Sequence, residues 1–136
     1  MTNAVMGKQL MISVDNRVGA LAEASRIIAD AGINLIAICG YVIDNKGFIL
    51  FVTEDSAKAK GLLKSKKYDV REEEVVLVSL DNQPGTLKAL TEKIASIGID
   101  ITLLYGSADE KGKASKIVII SENNKALLAA VTTSSK

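Results

Sequence analysis

Gln9-Leu10-Met11-Ile12-Ser13-Val14 is an apolar run of strand length that stops at Asp15-Asn16, a pair suited to a turn. The spacing then changes. Leu21, Ala24, Ile28 and Ala31 recur at i, i+3, i+7 and i+10, which places them on one helical face, and Gly32 supplies a stop. Ile33 to Ile43 and Gly47 to Thr53 predict two more strands around the turn residues Asp44-Asn45-Lys46-Gly47. Asp55 predicts the cap of a short helix reaching about Ser65, with Ala59, Leu62 and Leu63 inward and Lys58, Lys60 and Lys64 outward. Tyr68-Asp69-Val70-Arg71 alternates as a fourth strand, so the predicted order is β-α-β-β-α-β.

The pattern then starts again. Glu72-Glu73-Glu74 contains no Gly, Pro or Ser and leads straight into the apolar run Val75 to Leu80, which predicts two tightly joined units. Asp15-Asn16-Arg17-Val18-Gly19-Ala20-Leu21 returns as Asp81-Asn82-Gln83-Pro84-Gly85-Thr86-Leu87, and the two glycines lie 85 − 19 = 66 positions apart. At that offset Ser13 meets Ser79, Ile28 meets Ile94 and Gly32 meets Gly98, and the helical face repeats as Leu87, Leu90, Ile94 and Ile97. Agreement at Gly, Asn and Leu in matched structural positions identifies a tandem duplication. Ile99 to Tyr105 and Lys116 to Ser121 predict the second copy's middle strands. Leu127, Ala130 and Val131 match Ala59, Leu62 and Leu63 only at an offset of 68, which requires two inserted residues between Ser107 and Ser115. Adding 68 to Tyr68 reaches the last residue, so the second unit lacks its last strand and Thr132 to Lys136 reads as a frayed tail. The expected domains are residues 1–73, opening on a short polar start, and residues 74–136. A sheet missing an outer strand leaves a neighbour's backbone groups to be paired by a partner or a cover.

Composition narrows the function classes. Units of about 65 residues lie near the lower limit for an independent core. Apolar residues make up 48% of the chain, with no Trp and only five Phe and Tyr, so the core is aliphatic. Seventeen basic and sixteen acidic side chains leave a net charge of +1, which gives no field for nucleic acid or an anionic membrane. The chain has no His, the usual general base near neutral pH, and Cys39 alone without His is a poor nucleophile. These absences predict no enzyme, no cofactor and no metal. Cys39 reads as a small buried apolar group, and Tyr41 and Tyr105 as interface residues. Lysines 58, 60, 64, 66 and 67 read as a solvated face. No signal segment stands at Met1 to Lys8 and no apolar run is long enough for a bilayer, which predicts a cytoplasmic protein.

Asp81 to Leu87 with Gly98-Ile99-Asp100-Ile101, and Asp15 to Leu21 with Gly32-Ile33-Asn34-Leu35, resemble the signature positions of a tandem pair of ACT domains. The resemblance covers nearly the whole chain apart from the missing strand. It implies an α+β fold of two ferredoxin-like βαββαβ units, each an antiparallel sheet with both helices on one face. It also implies edge-to-edge association through strand two as a homodimer, and regulatory binding of an amino-acid effector at the junction of paired domains. Such domains usually sit fused to a metabolic enzyme; with no catalytic domain here, the chain resembles the stand-alone kind, with a metabolic enzyme as its partner.

The residues suit an amino-acid ligand. Gly19 and Gly85 sit where strand turns into helix, so backbone N–H groups and the positive helix end suit an anion at close range. Asp15, Asn16, Asp81 and Asn82 offer oxygens to an ammonium group, and Asn34 and Asp100 stand where the neighbouring unit would supply them. The candidate ligand loops therefore comprise Asp15, Asn16, Arg17, Val18, Gly19, Ala20 and Leu21, and Asp81, Asn82, Gln83, Pro84, Gly85, Thr86 and Leu87. A purely structural reading explains the same residues, with Asp-Asn capping the helix and Pro84 in its first turn. Val18 against Pro84 and Arg17 against Gln83 make the two loops unequal, with Asp81 to Leu87 the better match to the signature. The runner-up function is an interaction module without a ligand, recruiting a partner through exposed sheet edges. RNA-recognition modules share the strand order and Lys46-Gly47-Phe48 begins like their aromatic motif, but Leu50 and Thr53 fall where stacking aromatics belong.

Overall fold

The computed structural model describes residues 3–107, 110 and 113–133. It contains β1 (Asn3–Asp15), α1 (Ala20–Asp30), β2 (Leu35–Ile43), β3 (Lys46–Thr53), α2 (Ser56–Ser65), β4 (Asp69–Asp81), α3 (Thr86–Ser96), β5 (Ile101–Ser107), β6 (Ala114–Ser121) and α4 (Asn124–Thr133). The chain divides into two compact units, Lys8–Glu73 and Glu74–Lys136 together with Met1–Gly7.

In the first unit the strand order is β2-β3-β1-β4. β1 runs antiparallel to β3, with Leu10 opposite Phe51 and Ile12 opposite Ile49. Alternation sends these four side chains to one face, where Ala24 and Ile28 of α1 and Ala59 and Leu63 of α2 close the core. Asp55 caps α2 as the sequence predicts, its carboxylate accepting from the Lys58 amide at 3.1 Å. Asp44 and Asn45 adopt left-handed φ values of 49° and 64°, the conformation a tight two-residue hairpin demands. Cys39 on β2 is a free thiol and only half-buried.

The second unit repeats the plan with the order β1-β4-β6-β5. Val76, Val78 and Leu80 meet Ile117 and Ile119, covered by Leu90 and Ile94 of α3 and by Leu127 and Val131 of α4. No strand follows α4 among the described residues. The place beside β4 is taken by Asn3–Gly7, the part of β1 that precedes the first unit. Ala4 is 6% exposed and belongs to this unit's core, and a Cβ on Gly7 would stand 2.7 Å from Leu77 Cδ1. The expected polar start is thus strand, because Ala4, Val5 and Met6 give it apolar length, and it supplies the cover that the sheet edge called for. It groups with the second unit where residues 1–73 were expected to stand together.

Other boundaries move for local reasons. Glu72 to Glu74 lies within β4, which runs unbroken from Asp69 to Asp81. Thr132 and Thr133, expected in a tail, continue α4, and Thr132 Oγ1 donates to the Leu128 carbonyl at 2.8 Å. The rest of that tail, and most of the insertion between Ser107 and Ser115, lie outside the described residues. Among the described residues no helix is long and apolar enough to cross a membrane.

Candidate ligand loops

Each loop follows its strand and is held by the hairpin of its own unit. In the first, the Asn16 amide donates to the Asn45 carbonyl at 3.0 Å; in the second, the Asn82 amide donates to the Lys113 carbonyl at 2.7 Å. Gly19 and Gly85 then take φ values of 90° and 92° and serve as N-caps of α1 and α3. Open space surrounds the position of a Cβ at both, so backbone conformation and not crowding asks for glycine. Neither cap receives a side-chain hydrogen bond, so the reading in which Asp-Asn caps the helix does not describe these loops. Asp15 and Asn16 stand too early in the chain, since the helices begin at Ala20 and Thr86. First-turn amides, which have no intrahelical acceptor, are thereby left without a side-chain cap.

Between each loop and its hairpin lies a concavity. The first, of about 250 Å³, is lined by Val14, Asp15, Asn16, Arg17, Ala20 and Leu21 from the loop side and by Gly40, Tyr41, Val42, Gly47, Phe48 and Ile49 from the hairpin. The second, of about 300 Å³, is lined by Leu80, Asn82, Gln83, Thr86 and Leu87 and by Leu104, Gly106, Ser107, Ser115 and Ile117. Strand pairing explains the juxtaposition, because Val14 and Asp15 lie opposite Gly47 and Lys46. Leu21 and Leu87, expected on the buried helical faces, are 50% and 46% exposed and form rims of these concavities. Ile97, expected on the same face, follows α3 and is also exposed.

The remaining expected site residues fall elsewhere. Val18 is fully exposed, and neither Val18, Pro84, Gly19 nor Gly85 is among the described lining of these two concavities. Asp81 ends β4, with its carbonyl accepting from the Gln83 amide at 2.9 Å. Asn34 and Asp100 are not brought to the concavity of their own unit. Asn34 exchanges hydrogen bonds with Glu54, through Nδ2 to Oε1 at 3.3 Å and from the Glu54 amide to its carbonyl at 3.1 Å. Asp100 pairs with Glu122 through its backbone, the amide donating to Glu122 Oε1 at 3.3 Å and the carbonyl accepting from the Glu122 amide at 3.2 Å, so both residues tie the start of one strand to the end of the next.

Residues outside the loop signature complete the surroundings of the first concavity. Tyr41 and Phe48 stack with ring centroids 5.3 Å apart. Arg17 Nη2 donates to Glu23 Oε2 at 2.8 Å, and Tyr68 Oη donates to Glu23 Oε1 at 2.6 Å. The Tyr68 hydrogen bond, then Arg17, holds the Glu23 carboxyl below its usual range. Burial, then Glu23, pushes the Tyr68 phenol up to about 12. At the same offset the second copy has Gln83 and Ala89, so it has no such chain. The available signal for the hairpin side was the repeated mid-strand glycine, Gly40 and Gly106, 66 positions apart. Among the described residues no cluster of acidic, His or Cys side chains could hold a metal ion.

The sequence pattern of the ACT domain pair matches residues 8–130. The chain belongs to the ACT domain pair family. It is similar to protein BT0572 from Bacteroides thetaiotaomicron, at 28% identity and a TM-score of 0.88 over 96% of this chain and 89% of that one. It also shares the fold of the ligand-free regulatory subunit of aspartate kinase from Thermus thermophilus, at 17% identity and a TM-score of 0.69 over 99% and 97% of the two chains. Clostridium acetobutylicum aspartate kinase, described as an allosteric enzyme, contains the fold in 33% of its length, with 11% identity and a TM-score of 0.63 over 96% of this chain. No curated protein matches. The two units share one strand-to-helix junction and present different side chains around it.

Proposed function

We propose that this ACT pair is a regulatory protein that binds an amino acid beside its strand-to-helix loops and passes the binding on to a metabolic enzyme. The carrying observation is that the duplicated loops each border a concavity built in the same way from loop and hairpin. Polar groups for a small ligand's charged end and apolar walls for its remainder converge there, the usual make-up of a small-molecule site. The aspartate kinase regulatory subunits that share the fold favour an enzyme partner. Signalling requires only that the ligand bind one arrangement of the protein better than another. Catalysis has no place in this reading. Thermal-shift measurements with the twenty amino acids test it, because a ligand of the folded state raises the melting temperature at concentrations above its Kd. Absence of any shift sinks the proposal.

A homodimer through sheet edges is part of the same reading. β2 is the outermost strand in the first unit's order, and it exposes Ile38, Tyr41, Val42 and Ile43. An edge strand with that much apolar surface favours pairing with a second chain. Sedimentation of the full chain, and of the Val42→Lys and Ile43→Lys double variant, checks it; a monomer in both overturns the dimer.

A further inference from the structure

We infer that the first concavity alone is the amino-acid site, and that it takes a zwitterion with an apolar side chain. This rests on the amino-acid reading above and narrows it. A free amino acid carries a carboxylate and an ammonium side by side, and removing both from water is costly unless each meets a partner. The first concavity is lined by one cation and one anion from a single loop, Arg17 and Asp15. The described lining of the second contains no charged side chain: Gln83 stands in place of Arg17, and Asp81 is not among the lining residues.

Arg17 is also held in place. Its Nη2 bonds to Glu23 at 2.8 Å, and Glu23 is fixed in turn by Tyr68 at 2.6 Å. A guanidinium has five N–H donors, so donors beyond Nη2 serve a second carboxylate. Glu23 is therefore a positioning residue, and Arg17 is the group that meets the ligand. The side-chain preference follows from the apolar lining. The Tyr41–Phe48 stack, the half-exposed Leu21 and the exposed Val42 present apolar surface that a ligand side chain would cover. In the second copy Ser107 and Lys116 occupy the aligned positions of Tyr41 and Phe48.

Isothermal titration of the full chain with each amino acid tests the assignment. One equivalent binds per chain, and leucine, isoleucine, methionine or phenylalanine binds at least about tenfold tighter than aspartate, glutamate or lysine, since charged side chains lose hydration against this wall. Arg17→Gln, which introduces the second copy's residue, and Asp15→Asn each raise Kd by about tenfold, the loss of one charge-assisted contact. Asn82→Ala and Thr86→Ala leave Kd unchanged, with melting curves confirming that all four variants fold. Two equivalents per chain, a preference for charged side chains, or loss of binding on the Asn82 and Thr86 changes but not the Arg17 change overturns this assignment and leaves the amino-acid reading standing. No binding of any amino acid overturns both.

Discussion

Around Gly19 and Gly85 the backbone does the same thing twice: one left-handed glycine at the helix start, one amide bonded to the hairpin tip, one concavity beside them. The side chains in and beside the concavities have diverged. Arg17, Glu23, Tyr41 and Phe48 stand against Gln83, Ala89, Ser107 and Lys116. What both copies retain is what the chain path requires, namely the glycine conformation and the amide partner. What differs lies at positions whose side chains the path does not need, and ligand choice can diverge there without cost to the fold.

The largest expected difference between the copies lies on the hairpin floor. A Cβ on Gly106 would stand 2.5 Å from Ile117 Cδ1 and 2.6 Å from the Lys116 carbonyl oxygen, whereas on Gly40 the nearest atom is the Phe48 carbonyl oxygen at 3.8 Å. Gly106→Ala is expected to destabilise by about 2–3 kcal/mol, the cost of overpacking. Gly40→Ala should stay within about 0.5 kcal/mol. Urea denaturation of both variants checks the contrast, and equal losses would show that the floors are alike. Next come Gly19→Ala and Gly85→Ala, each expected to cost about 1–2 kcal/mol through backbone strain at positive φ. These two should match. A gap larger than about 1 kcal/mol, well above the ordinary error of additivity, would break the equivalence of the loops.

The Arg17-Glu23-Tyr68 chain predicts a smaller, pH-dependent difference. Burial and Glu23 raise Tyr68 from 10.0 to about 12, so the folded state favours the neutral phenol. That stability is fully present below pH 10 and is lost as pH rises towards 12. Tyr68→Phe should flatten this alkaline limb. Glu23 is held below 4.5, so its contribution is present above pH 4.5 and is lost as pH falls through the lowered value. Glu23→Gln should flatten the acid limb, while Ala89 gives the second copy nothing to titrate at that place. Denaturation midpoints measured against pH separate the two limbs. The smallest effect is expected for Thr86→Ala, which removes the 3.0 Å bond from Thr86 Oγ1 to the Gln83 carbonyl and introduces the kind of residue found at Ala20. A change within about 0.5 kcal/mol is expected from thermal or urea unfolding.

Element type was legible because each strand and helix carries its own period, and the repeat made two weak readings support each other. Helix faces were less so. Leu21 has the spacing of a core position, yet it lies in the first turn of α1, where the face looks over the loop and not onto the sheet. The hairpin wall was legible only in the repeated glycine and in Tyr41 as an interface residue, since Tyr41 and Phe48 reach the loop through the register that sets Gly47 opposite Val14. Asn34 and Asp100 show a related limit: a signature position does not say what its side chain meets, and here the Asn34 side chain bonds Glu54 whereas Asp100 meets Glu122 through its backbone amide.

The start of β1 carries little strand signal in the sequence because Asn3 to Gly7 has no partner nearby in the chain. Its neighbours are Val75 to Leu80, about seventy residues later. During synthesis the segment that completes the second unit is therefore made first and waits for its slot, for several seconds at about 5–20 residues per second. Lys8–Glu73 closes on contacts made within its own stretch of chain, whereas the other unit draws on two stretches separated by that whole unit. Such long-range closure slows folding. Until Asn3–Gly7 docks, β4 lacks its neighbour on that side, and an unpaired strand of this kind is open to a competing strand.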